Sequence, residues 1–234
     1  MNPKTNLMLC SLTADARQAL KPHLAQVELK QHEIIFDVRE AVSKVHFPLD
    51  AVISLVLPLS TGEVVETAMV GRDGIVGAAA ALNGRVSLNR AVVEIGGQSL
   101  ACKIEPLKAV LANQPGMQAR LGAHEQVLFA QAQQSAACNI THDIENRLAR
   151  WLLRAADLVG SDELALTQEY IAEMLGVRRT SVSMVAHMLQ QAGMIEYRRG
   201  RIKILNLDGL RDTACECYET VKLNYDALHH QSND

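Results

Sequence analysis

Between Leu166 and Leu189 two short helical periodicities meet at a single glycine, and no other stretch of the 234 residues limits the fold so tightly. Thr167 stands where a helix N-cap belongs, and Ile171, Met174 and Leu175 recur on one face behind it. Gly176 supplies a turn. Val182, Val185, Ala186 and Leu189 then follow i, i+3, i+4, i+7 spacing, which at roughly 100° per residue turns Thr180, Ser183, Met184 and His187 to the opposite, polar face. Arg178 and Arg179 open this second helix, where the macrodipole is positive and each exposed cation costs about 0.3–1 kcal/mol. Phosphates and guanine edges are partners that would offset that cost. From Met194 to Leu205 apolar and polar residues alternate on both sides of Arg199-Gly200, as in a tight hairpin with mostly cationic outward positions. Two helices, a glycine turn and a basic hairpin are the layout of a winged helix-turn-helix, with a recognition helix from about Arg178 to Gln191.

Charge placement confines this chemistry to one end. Residues 166–205 hold six Lys/Arg against three acids, a local +3 on a chain whose formal net charge is −3. A basic module on an acidic protein points to double-stranded DNA as its partner rather than to general polyanion binding. The length allows one large or two ordinary domains, and 48% hydrophobic residues support a packed core. No stretch reads as a signal peptide or membrane span, so the expected location is cytoplasmic, with no membrane partner. Five scattered cysteines, Cys10, Cys102, Cys138, Cys215 and Cys217, suggest reduced thiols rather than a disulfide framework.

The rest of the chain divides by its patterning. From about Val27 to Ile104 short β-like runs, among them Val64–Met69 and Ala91–Ile95, are broken by turn residues such as Gly71-Arg72-Asp73-Gly74. This predicts an antiparallel β-roll, of the double-stranded β-helix or jelly-roll kind, over residues 1–115. A helix over 116–141 is expected from the spacing of Leu121, His124, Leu128, Ala132 and Ser135, a narrow stripe suited to a two-stranded dimer seam. A further helix with Ile144, Leu148, Trp151, Leu152 and Ala155 on one stripe leads through Gly160 into the winged module, and the stretch from Leu210 to His230 reads as one more helix. The winged domain is placed at 142–234, and the fold class is α+β.

A β-roll, a long central helix and a winged helix-turn-helix, in this order, resemble the Crp/Fnr superfamily of bacterial transcription regulators over nearly the whole chain. The residues that carry the resemblance are His46-Phe47-Pro48, Val70 to Gly77, Asn146 to Leu153, and the helix-turn-helix with its wing. It implies a homodimer reading an inverted-repeat operator, with RNA polymerase and a small-molecule effector as further partners. Arg179, Thr180, Ser183, Met184 and His187 would face bases, while Thr167, Gln168, Arg178, Ser181, Arg199 and Arg201 would meet phosphates. Cyclic-nucleotide binders of the superfamily hold the ribose with a Gly-Glu pair and the phosphate with an Arg followed by Ser or Thr. The corresponding places here are Gly77-Ala78 and Asn89-Arg90, where Ala78 has no acceptor and Arg90 is out of phase. cAMP is therefore not expected as a ligand, and no cofactor is assigned; another effector is possible.

Cys215-Glu216-Cys217 with His229-His230 invites a metal or redox reading. In one continuous helix, however, two cysteines two residues apart point about 200° away from each other, so no metal site is expected. Neither a phosphate loop, a His-Glu-x-x-His pair nor a nucleophile elbow is present, so no enzyme activity is expected. The readings from other classes are a ligand-binding or protein-docking module without DNA binding, and a thiol-based redox regulator.

Overall fold

The computed structural model describes residues 5–82 and 86–230. Helices α1 (Leu7–Cys10) and α2 (Ala14–Leu20) lead into strands β1 (Ala25–Leu29), β2 (Ile34–Phe36), β3 (Lys44–Pro48), β4 (Val52–Pro58) and β5 (Val64–Val70). Helix α3 (Ala78–Leu82) precedes β6 (Arg90–Ile95) and β7 (Gly97–Lys103), and α4 (Ile104–Ala112) leads to the long α5 (Pro115–Thr141). After α6 (Ile144–Val159) come β8 (Glu163–Leu164), α7 (Gln168–Leu175), α8 (Arg179–Gln191), β9 (Ile195–Arg198), β10 (Arg201–Ile204), α9 (Leu207–Thr213) and α10 (Cys217–His230).

Two antiparallel sheets, ordered β1-β7-β3 and β2-β6-β4-β5, form the expected roll. Leu29, Phe36, Ile53, Val70, Ala91 and Val93 fill the space within it, consistent with strands that alternate between a buried and an open face. The winged unit has its own sheet, β8-β10-β9. Its hairpin turns at Arg199 and Gly200, which have φ of +51° and +75°, the paired positive angles of a type I′ turn.

α6 is the pivot of the molecule. Sequence periodicity gives it one apolar stripe, yet residues 147–155 are buried on every side, Arg147, Arg150 and Arg154 included. One continuous apolar cluster joins Val52, Val56, Met69 and Ile95 of the roll to Trp151 and Leu152 of α6 and to Ile171, Leu175, Val182 and Leu189 of the winged unit. The Gly71-Arg72-Asp73-Gly74 turn is the joint that lets α5 and α6 approach. A Cβ at Gly71 would stand 2.7 Å from Leu158 Cβ, and one at Gly74 would stand 2.6 Å from His124 Nε2.

Two sequence expectations need correction. The stripe assigned to a dimer seam turns inward: Leu121 and His124 are fully buried and Ser135 is buried, while Leu128 and Ala132 are half-buried. The roll, α3 and α10 cover this side, and His124 Nε2 accepts a hydrogen bond from the Ile75 N–H at 3.2 Å. Periodicity identifies a buried face; it does not say whether the cover comes from the same chain. The second correction concerns the stretch from Leu210 to His230, which is the end of α9 and a separate α10, so Cys215 lies in the connection and only Cys217 is helical.

Candidate nucleic-acid interface

Thr167 caps α7 by accepting the Tyr170 N–H at 3.2 Å, and Gly176 closes the helix in the left-handed conformation at φ +63°. Val182, Val185, Ala186 and Leu189 then anchor α8 in the core. This fixes the outward face of α8, where Arg179, Thr180, Met184 and His187 are exposed. Met184 is 61% exposed and Met188, one turn on, is 43% exposed. Met188 belongs to this face although the sequence reading did not include it; it lies four residues after Met184, and that spacing was the available signal.

The two arginines have no side-chain cap to stand beside. Arg178 is the N-cap of α8 and makes no capping hydrogen bond through its side chain. Arg179 Nη1 lies 3.4 Å from Glu169 Oε2 with both groups largely exposed, a pair in high dielectric that a phosphate or base edge can displace. Ser183 is half-buried, and its hydroxyl donates to Gln168 Oε1 at 2.6 Å. That bond locks two residues expected to touch DNA onto each other. Ser181 is half-buried at the start of the helix, and Arg198, Arg199 and Arg201 line the wing in the open.

On the roll side, the residues assigned to a degenerate ligand pocket are each engaged by their own surroundings. Gly77 forms a left-handed turn against the Lys44 carbonyl, and Ala78, the first residue of α3, is fully buried in the core. Arg90 makes a two-pronged ion pair with Asp37, Nε to Oδ1 at 3.1 Å and Nη2 to Oδ2 at 2.8 Å. Together with Ile34 and Val92, Arg90 lines the outer face of the roll, across a cleft of about 380 Å³ from Tyr170 and Glu173 of α7. His46 is buried in β3, where loss of hydration holds its pKa down at about 4 and keeps it neutral.

Between roll and winged unit lies a buried polar contact that no local pattern announced. Glu94 is fully buried, and the Ser54 hydroxyl stands within hydrogen-bond reach of both Glu94 and Glu66. A hydroxyl has one proton to donate, so the second of these bonds requires a protonated carboxyl donating to Ser54 Oγ. Burial raises the pKa of both acids, and the charge of Glu66 raises that of Glu94 further. Trp151 Nε1–H of α6 donates to the remaining oxygen of Glu66 at 3.1 Å, tying the roll to α6.

Residues 146–213 match the family model of the Crp-like helix-turn-helix domain. No curated protein sequence matches the chain. Among solved structures, a CRP-family transcriptional regulator of Thermus thermophilus is similar in fold, with 23% identity over 80% of this chain and 96% of that one and a TM-score of 0.67. FixK2 from Bradyrhizobium japonicum aligns over 82% of this chain and 98% of its own, at 16% identity and a TM-score of 0.67. The c-di-GMP responsive global regulator CLP of Xanthomonas campestris does so over 82% and 99%, at 12% identity and a TM-score of 0.65. No helix among the described residues is long and apolar enough to cross a membrane. The chain thus carries a Crp-like helix-turn-helix domain and has the fold of the Crp/Fnr transcription regulators.

Proposed function

We propose that the protein is a homodimeric, sequence-specific regulator that reads an inverted-repeat operator through α8 and steadies itself on phosphates through the wing. The observation that carries this reading is the open face of α8. It presents Arg179, Thr180, Met184 and His187 on a helix anchored behind by a full apolar row, with three wing arginines beside it. Arg179 is the base reader; Thr167, Arg178, Arg199 and Arg201 meet the backbone.

The dimer seam we assign lies on the open side of α5. Gly122, Gln126, Phe129, Gln133, Ala136 and Ile140 recur at alternating spacings of four and three, the repeat of a two-stranded helical seam. Phe129 is 65% and Ile140 87% exposed in the single chain, and association would cover both. An effector acting on the roll would reach α8 through α6, because Glu66 and Trp151 bridge the two halves. cAMP is not that effector: Ala78 offers no acceptor and Arg90 is held by Asp37. Calorimetry with cAMP should show no saturable binding at micromolar concentration.

The deciding experiment is fluorescence anisotropy with genome-selected DNA, comparing an inverted repeat, a single half-site and scrambled DNA across a salt series, beside sedimentation of the free protein. A dimer that prefers the inverted repeat supports the reading. Equal affinity for all three, or full specific affinity on one half-site by a monomer, overturns it in favour of a docking module.

A further inference from the structure

α10 runs back along α5 and brings its first turn to the C-terminal end of the central helix. Four side chains converge there: Cys138 and His142, four residues apart, with Cys215 from the α9–α10 connection and Cys217 at the start of α10. Cys138 Sγ lies 3.6 Å from Cys215 Sγ, Cys217 Sγ lies 3.7 Å from His142 Nδ1, and all four ligand atoms fall within 4.8 Å of one another. A tetrahedral ion bonded at about 2.3 Å to sulfur and about 2.0–2.1 Å to nitrogen spaces two sulfurs about 3.8 Å apart, and sulfur and nitrogen about 3.6 Å apart. The Cys138–Cys215 and Cys217–His142 separations match those edges, and the remaining pairs stay within 4.8 Å. An iron-sulfur cluster does not fit, because its irons and sulfides stand between the thiolates and spread them further apart.

Thiols that merely fill a core would not need what surrounds these four. Cys138, Cys215 and Cys217 form a sulfur cluster of their own, apart from the large apolar cores. His142 Nε2 is held by Glu216 Oε2 at 3.2 Å, which turns Nδ1, also 3.3 Å from the Thr141 hydroxyl, towards the sulfurs, the carboxylate-histidine arrangement that fixes a metal-bound imidazole. Gln134 Nε2–H donates to Cys217 Sγ at 3.0 Å. Arg147 and Arg150 lie close enough to act on charge at Cys138. Three thiolates around one divalent cation leave a net negative charge, and these guanidinium groups offset it.

We propose that Cys138, His142, Cys215 and Cys217 form a closed Cys₃His site for a single zinc ion. Three soft thiolates and one imidazole in a tetrahedron, with all four positions supplied by protein, are the donor set of a structural rather than a catalytic zinc. On binding, the three thiols release their protons to solvent and four ligand bonds form; no electron is transferred. The ion ties the end of the winged unit to the central helix, so metal loss would loosen the path from dimer seam to recognition helix. The site depends only on these four side chains of the one chain and stands whether or not the DNA reading does.

The test uses the full-length protein, purified and dialysed under reducing conditions, with metal content measured by mass spectrometry and Co(II) exchanged for the native ion. Expected are about one zinc per chain and the sulfur-to-cobalt charge-transfer and tetrahedral d–d bands of a thiolate site. Cys138→Ser and Cys217→Ser should lose the ion and Cys10→Ser keep it. His142→Cys should retain it as a Cys₄ site, which separates lost ligation from lost folding. Glu216→Gln should weaken zinc about 10–100-fold. A folded wild-type chain that neither contains nor takes up one equivalent of Zn(II) or Co(II) overturns the proposal. So do iron with acid-labile sulfide, a Cys138–Cys215 disulfide in the folded metal-free chain, or full zinc content in Cys217→Ser.

Discussion

Asp73→Asn should unsettle the joint between roll and α6 more than any exposed change, because of what it leaves behind. Arg154 Nη1 lies 2.7 Å from Asp73 Oδ2, with the side chains only 6% and 9% exposed respectively. Removing the carboxylate charge leaves a buried guanidinium whose other contacts are the Met69 carbonyl at 3.3 Å and the Tyr225 ring, 4.4 Å from centroid to Cζ, while the Asp157 carboxylate, which accepts the Tyr218 hydroxyl at 2.7 Å, acts on it from further off. None of these replaces the direct ion pair, so the loss should be about 3–5 kcal/mol, the cost of breaking a buried pair from one side. For a chain of this size that lowers Tm by roughly 6–20 °C. Urea unfolding checks this by circular dichroism together with the fluorescence of Trp151, the chain's one tryptophan, which sits at the same joint. Adding Arg154→Met removes the orphaned charge, so the double variant should be at least as stable as Asp73→Asn alone. A loss below about 1 kcal/mol for Asp73→Asn, or a double variant that loses the sum of the two singles, would refute the reasoning.

Arg179→Ala should cost about 1–3 kcal/mol per half-site and flatten discrimination at one base pair, whereas Arg199→Ala should weaken all DNA alike and lower the salt slope by about 1; anisotropy across a salt series separates them. Phe129→Glu places a carboxylate on the open face of α5 and should shift the protein to monomer in sedimentation while leaving its circular dichroism unchanged, whereas Leu121→Glu, on the buried face, should unfold it. Glu94→Gln should change the pH dependence of stability. Burial first, and the Glu66 charge second, raise the Glu94 pKa well above its ordinary 4.5, so the native state holds its proton more tightly than the unfolded chain. The stability this gives is complete below the unfolded value and lost as pH rises towards the native one; the variant should therefore flatten Tm against pH above about 4.5 and gain on wild type at neutral pH.

The winged unit was legible because its signals are local. Thr167, Gly176, the apolar row of α8 and the Arg199-Gly200 turn each act within a few residues, and cap, period and turn chemistry agree on one arrangement. The β-roll was legible as a class for the same reason. Faces were not. The stripe of Leu121, His124 and Ser135 marks a buried side of α5, and only the return of α10 shows that the chain itself covers it, leaving Phe129 and Ile140 in the open. Likewise the single apolar stripe of α6 gave no sign that Arg147, Arg150 and Arg154 are buried, Arg147 against the Leu175 carbonyl of the winged unit and Arg154 against Asp73 of the roll.

The cysteines show the same limit from the other side. Read along the chain, Cys215 and Cys217 are two residues apart in what patterning extends as one helix, a geometry that cannot serve one ion. The α9–α10 connection breaks that helix at Cys215, and α10 then carries Cys217 to Cys138 and His142 across separations of more than seventy residues. A break of three residues, Ala214 to Glu216, is therefore what lets two thiols that one helix would oppose face the same point as two corners of the proposed tetrahedron. Its sequence gives little warning, since Thr213-Ala214-Cys215-Glu216 holds neither glycine nor proline, and the stop comes from packing: Asn146 Nδ2 donates to the Thr213 carbonyl at 2.7 Å and closes the end of α9 against α6. The side chain that ends α9 thus belongs to the helix carrying Arg147, Arg150 and Arg154, so the geometry of the sulfur cluster and the docking of the DNA-binding half are set by one element.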